Sequence, residues 1–144
     1  MSLIPHVEDN KAFKDLPDVW STCQELIDLC AGDFEEHAIL LCNYFKYLDN
    51  QMNKEIKTYI VLGNGVPEGN TVYVLRKDNN SKSIELWNAS TGVGYAFDQE
   101  DYGSNFLCFK VVNDKRTIRQ ESDLECPLKS VGCLIDEDDV YINI

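Results

Sequence analysis

The groups in this 144-residue chain with chemistry to offer are two histidines, six cysteines and a dense set of carboxylates. A cysteine–histidine catalyst would need His6 or His37 beside Cys23, Cys30, Cys42, Cys108, Cys126 or Cys133. On a helix, His37 and Cys42 would be separated by about 140° and do not face each other. A nucleophilic thiol also needs positive potential, from a bare helix N-terminus or a cationic neighbour. Asp33, Glu35 and Glu36 stand at the start of the same segment and would raise a thiol's pKa instead. None of the cysteines forms C-x-x-C, and no His/Cys cluster has zinc spacing. The cysteines read as small apolar residues of a reduced, intracellular protein rather than as a disulfide framework.

Two further constellations invite a chemical reading. Gly63-Asn-Gly65-Val-Pro-Glu-Gly69 follows a strand-like run, but it lacks the Gly-Lys-Ser/Thr ending of a phosphate loop. Pro67 removes a donor N–H and Glu68 would oppose a phosphate, so the segment reads as a turn between strands. The acidic run Asp136-Glu-Asp-Asp139 has neither the spacing nor the central glycine of a calcium loop. It reads as a solvated turn between the last two strands.

The elements that must position these groups are helices first and strands afterwards. Asp33 and Glu36 make a D-x-x-E capping box, which starts a helix at Phe34. Along that helix Phe34, Ala38, Leu41, Phe45 and Leu48 lie within roughly 40° of one line. Residues 38–45 carry no charge, so the periodicity predicts a helix buried on most sides at the centre of the domain. Upstream, Ser21-Thr-Cys-Gln24 offers an S-x-x-Q box for a helix that Pro17 and Asp18 would start slightly earlier, with Leu26, Ile27 and Cys30 inward and Gly32 as its stop. Residues 1–16 read as an extended lead-in, and residues 17–144 as one domain. From Lys57 the period becomes strand-like, with runs at Lys57–Leu62, Thr71–Arg76, Ser83–Trp87, Val93–Phe97, Phe106–Val112, Val131–Ile135 and Val140–Ile144. Asp78-Asn-Asn80 and Asn88–Gly92 supply turn chemistry between them. The pattern predicts an α+β fold, a helix packed on an antiparallel sheet.

A glycine-containing turn, a helix start, an alanine four residues on and an aliphatic run ending in leucine resemble the transglutaminase-like branch of the papain-like cysteine-peptidase fold. Catalysis in that fold uses Cys at the helix start, His on a following strand and Asp on the next. Matching Ala38 to the family's alanine puts Phe34 at the Cys position; Thr71 in NTVYVLR best matches the His, and Asn88 in ELWNASTG the Asp. The fragments MSLIPHVEDN, GDFEEHAILLCNYF, VLGNGVPEG, VYVL, LWNASTG and CPLKSVGCLI with VYINI occur in register over the chain. Together they resemble the C-terminal transglutaminase-like domain of the coiled-coil and C2-domain family of ciliary transition-zone proteins, the family linked to Meckel and Joubert syndromes. The chain departs from that pattern at Asp49, at Asn70-Thr71 and in a longer insertion over residues 98–123.

The resemblance implies a catalytically inactive module that scaffolds protein or peptide partners in the transition zone and basal body, a cytoplasmic, cytoskeletal setting, with no cofactor and no metal. A vestigial cleft would be lined by Phe34, Thr71 and Asn88, flanked by Tyr73 and Trp87, with His37 at its edge. Equally open is that Phe34 plugs the cleft and Asn88 caps a turn. A cryptic cysteine hydrolase or transferase, and a purely structural cap of a larger protein, are the alternatives. Composition narrows partners further. A formal charge of −12 and a pI near 4.4 argue against nucleic acid and against anionic lipid, and suit a basic partner. The uncharged run over residues 38–45 is too short to span a bilayer, so no direct membrane insertion is expected.

Overall fold

β-Branched and aromatic residues recur from Ile56 onward, and there the chain turns from helix to sheet. The computed structural model describes residues 3–12, 19–81, 83–98, 107–112, 115–119 and 126–143. Several expectations lie outside these residues: the lead-in at residues 1–2 and 13–16, the helix-start signals Pro17 and Asp18, the strand ends Phe106 and Ile144, and much of the 98–123 insertion. The helices are α1 (Asp9–Ala12), α2 (Cys23–Leu29) and α3 (Phe34–Gln51). The strands are β1 (Ile56–Gly65), β2 (Gly69–Asp78), β3 (Ser83–Asn88), β4 (Val93–Asp98), β5 (Leu107–Val112), β6 (Lys115–Arg119), β7 (Leu128–Ile135) and β8 (Val140–Ile142).

The α+β class follows. Among the described residues the strands form one sheet in the order β6-β5-β4-β3-β2-β1-β7-β8, every pair antiparallel. β1 to β6 run as a meander, each strand pairing antiparallel with the next in sequence. Asp78 and Asn88 close two of these turns by accepting the backbone N–H groups two and three residues on. β7 comes back on the free side of β1, and there β1 carries Gly63. A Cβ at Gly63 would lie 2.3 Å from the Ser130 carbonyl oxygen, so the close approach of β7 needs a residue without a side chain. β6, with the sequence KRTIR, has no apolar alternation and was not among the sequence-derived strands.

Both short helical expectations shift. α2 starts at Cys23 with Thr22 as N-cap and Glu25 completing the box, one residue beyond the Ser21–Gln24 pair. It ends on Cys30 in the left-handed region, φ 53°, instead of on Gly32. Gly32 instead pairs with the lead-in, and a Cβ there would meet Leu26 Cδ1 at 2.5 Å. The lead-in is extended only up to Glu8; α1 is a single helical turn after it.

The sheet has two apolar faces. On one, Val72, Val74, Trp87 and Ala89 pack with Ala38, Leu41 and Cys42 of α3, and Phe34, Phe45, Ile60 and Leu62 close the edges. On the other, Val61, Tyr73, Leu86, Tyr95 and Cys126 form a second cluster with Leu75, Val131 and Leu134. Burying a side chain such as Val74 is worth about 1.5–3 kcal/mol, so the Val-Tyr-Val-Leu run of β2 anchors both layers. The expectation that α3 is buried on most sides fails. Tyr44 and Tyr47 are 52% and 60% exposed, because a tyrosine needs only one face covered and keeps its hydroxyl wet. α3 therefore lies on one face of the sheet.

Arg76 fastens the far end of α3. From β2 its guanidinium donates to both carboxylate oxygens of Asp49 at 2.6 and 2.8 Å and to Glu85 of β3 at 2.9 Å, and it lies 4.3 Å from the Phe45 ring centroid. Removing one partner leaves the other charge buried without compensation. Asp49→Asn is expected to destabilise the fold by about 3 kcal/mol, read as a lower urea midpoint at unchanged slope.

Candidate functional site

The first turn of α3 is built as expected from the sequence. The Asp33 carboxylate accepts the Glu35 N–H at 3.1 Å, and Glu36 reaches back to accept the Asp33 N–H at 3.0 Å. The lead-in then lies against this turn. The His6 ring sits on Phe34 with centroids 4.3 Å apart, and His6 pairs in parallel with Gly32 through Val7 N–H to Gly32 O and Gly32 N–H to Pro5 O. His37 is fully buried beneath the strap. Its Nδ1 faces the Asp33 carbonyl at 2.5 Å and its Nε2 the Ile4 carbonyl at 2.9 Å, so neither nitrogen faces a thiol. Burial, then the nearby His37, lowers the His6 pKa.

This arrangement also gathers three carboxylates that sequence spacing does not reveal. Oxygens of Asp9, Asp33 and Glu36 lie within 4.8 Å of one another. Each accepts a backbone N–H: Asp9 from Val19, Asp33 from Glu35, and Glu36 from Ser21 as well as Asp33. Oxygen donors of this kind suit a hard cation, and equally suit their present work, Asp33 and Glu36 capping α3 and Asp9 holding the Val19 N–H. Burial pushes the Asp33 carboxyl up to about 6 and raises Glu36 as well.

The six residues expected to line one cleft are divided between the two sheet faces. Phe34, His37 and Trp87 are on the α3 side, Trp87 packing on Phe45 at 5.5 Å and donating from Nε1 to Glu85. Tyr73 lies in the cluster on the opposite face, and strand alternation puts Thr71 and Asn88 there with it. Tyr73, Thr71 and Asn88 are all buried. The Asn88 amide oxygen caps the following turn, and burial pushes the Tyr73 hydroxyl up to about 12 while it donates to Glu68. The Thr71 hydroxyl has no hydrogen-bond partner among the described residues. Of the two readings open at the sequence level, Asn88 follows the turn-cap one, and Phe34 is half-buried under His6.

An open groove of about 610 Å³ does exist, beside the α3 start but displaced from Phe34. Its lining includes Leu62, Val72, Cys133, Val140 and Ile142, with Glu35 at the rim, and of the six residues expected in a cleft it includes Thr71. The alternating VYINI ending was the signal for it, since it places Val140 and Ile142 on one face. Cys42 lies in the core under α3, and burial raises its thiol pKa. Among the described residues no helix is long and apolar enough to cross a membrane.

Comparison with known proteins matches residues 18–144 to the family model of the CEP76 peptidase-like domain. The whole chain is 37% identical to human Protein CC2D2B and 23% identical to the Drosophila melanogaster Coiled-coil and C2 domain-containing protein 2A. It covers 100% of its own length in both alignments and 8% of either relative. No solved structure matches.

Two expectations test this geometry. With Asp33 raised from 3.8 to about 6, the folded chain holds a proton that the unfolded chain releases, so this stability is present below the unfolded value and is lost as pH rises through the folded one. Asp33→Asn keeps a good cap without a titration. Lowering the pH from about 7.5 to about 5 should raise the Tm of the wild type more than that of the variant. Thr71→Val, which replaces an unpartnered buried hydroxyl by a methyl, should leave stability unchanged or raise it by up to about 1 kcal/mol in urea melts.

Proposed function

Because the chain belongs to the CEP76 peptidase-like domain family and is a CC2D2-type sequence, we propose that it is a non-catalytic, transglutaminase-like module that holds an extended segment of a partner protein in the groove beside α3. The observation that carries this reading is the occupancy of the α3 start. His6 covers Phe34, the residue that the resemblance matches to the nucleophile position, and both ring nitrogens of His37 are turned to backbone carbonyls. An acyl-transfer site needs a thiol with a base in reach and donors aimed at the developing oxyanion. Here the buried Cys42 thiol is held above its ordinary pKa, and carboxylates surround the helix start. What remains at that end of the domain is an apolar groove, the kind of surface that holds peptides.

The setting proposed is the one that the resemblance read in the sequence implies. A coiled-coil and C2-domain protein of the ciliary transition zone would use such a module as one contact among many in the complex that gates the cilium. The partner would be a protein of that complex, with no nucleic acid, no cofactor and no bilayer insertion involved. Incubating the chain with a fluorogenic peptide amide should give no turnover above buffer. Turnover that disappears in Cys42→Ala would overturn the proposal and restore the enzyme reading.

A further inference from the structure

The groove ends at an edge of the sheet with a definite chemistry, and the inference that follows rests on the groove being an interaction site. β8 is the outermost strand on its side among the described residues. Asp139 O accepts from Asp136 N–H and Gly132 O accepts from Asn143 N–H, so the odd-numbered residues of this segment turn their backbone groups toward β7. Val140 and Ile142 therefore turn theirs outward. The Val140 N–H is taken by the Asp139 carboxylate at 3.0 Å; the Ile142 N–H and both carbonyls have no partner among the described residues. The side chains of the same two residues line the groove and remain 54% and 71% exposed. One free backbone donor, two backbone acceptors and an apolar wall thus face one direction. This is the requirement for adding a strand.

Charge selects what that strand can be. β8 is preceded by Asp136, Glu137, Asp138 and Asp139, and the turn they form flanks a second depression of about 170 Å³ that Asp49 also lines. Lys46, which pairs with Glu137 at 3.3 Å, and Lys57 line the same depression, so two cations stand against the four carboxylates of the turn. Glu35 marks the opposite rim of the groove. An extended segment pairing with β8 advances about 3.3 Å per residue, so side chains that leave the apolar wall reach the acidic turn within about three or four residues. We infer that the β8 edge takes an extended partner segment in which alternating aliphatic residues are followed by lysine or arginine, bound as an added strand. The chain's formal charge of −12 attracts such a segment and repels an acidic tail. It also disfavours a second copy of this chain, which would bring its own four carboxylates to the same edge.

Fluorescence polarisation with labelled synthetic peptides tests this. A peptide of alternating valine and threonine ending in three lysines is compared with its counterpart ending in three glutamates. The lysine peptide should bind at least about tenfold tighter, and lose about fivefold in affinity from about 50 to about 300 mM salt. Ile142→Pro removes the outward N–H without touching a bond to β7, and should weaken binding about tenfold with the Tm little changed. Asp138→Asn with Asp139→Asn should abolish the preference for lysine. Equal binding of both peptides, or undiminished binding to Ile142→Pro, would overturn this inference and leave the groove reading intact. Failure of every peptide to bind would overturn both. Concentration-dependent dimerisation of the chain alone in sedimentation would assign the edge to a second copy and overturn the inference.

Discussion

A strand sends successive side chains to opposite faces, and β2, near the middle of the sheet, decides what each layer contains. Val72 and Val74 receive α3, Tyr73 and Leu75 hold the second apolar face, and Arg76 returns to the helix side to bind Asp49. A slip of one residue in its pairing with β1 and β3 would exchange the two sets. The hydroxyl of Thr71 would then point at α3, and the valines away from it. The position of α3, the groove at its start and the charge network at its end all follow from that register.

The same register explains how the sequence was legible in part. Caps and turns are local, so the Asp33–Glu36 box and the turns after Asp78 and Asn88 could be read from a few residues. The aliphatic and aromatic runs likewise announced seven of the described strands. Which side of the sheet a given residue faces is not local where both sides are apolar, because NTVYVL offers no polar face to mark the outside. Matching Thr71 and Asn88 to catalytic positions therefore set them across the sheet from Phe34. The α3 reading failed for a related reason: uncharged tyrosines counted as buried, although their hydroxyls and half their rings stay in water. The carboxylate cluster was invisible because Asp9 is brought to Asp33 and Glu36 by a strap, over a separation that no spacing rule addresses.

The chemistry at the α3 start favours holding over cutting on electrostatic grounds as well. A helix N-terminus would stabilise a thiolate there, but the available N–H groups are taken by carboxylates and the nearest imidazoles are committed to carbonyls and an aromatic ring. Burial in that turn already pushes the Asp33 carboxyl up to about 6, so the site disfavours a further anion. Further along the same face, the groove and the acidic hairpin turn offer shape and field; the groove's lining includes the Cys133 thiol but, among the described residues, no histidine to serve it as a base. Under the proposed reading, the module keeps the architecture of a peptidase-like domain and uses it for recognition.

The strap over α3 bears on where this domain can be cut for expression. The family match begins at residue 18, downstream of Ile4, His6 and Asp9. A fragment trimmed at that point would strip the acceptor from a fully enclosed imidazole, uncover the Phe34 ring and take one acid from the cluster. A fragment meant to keep this packing therefore includes the residues upstream of the family-model match, which the alignments to the relatives also cover, and aggregation of a shorter one would say nothing about the rest of the fold.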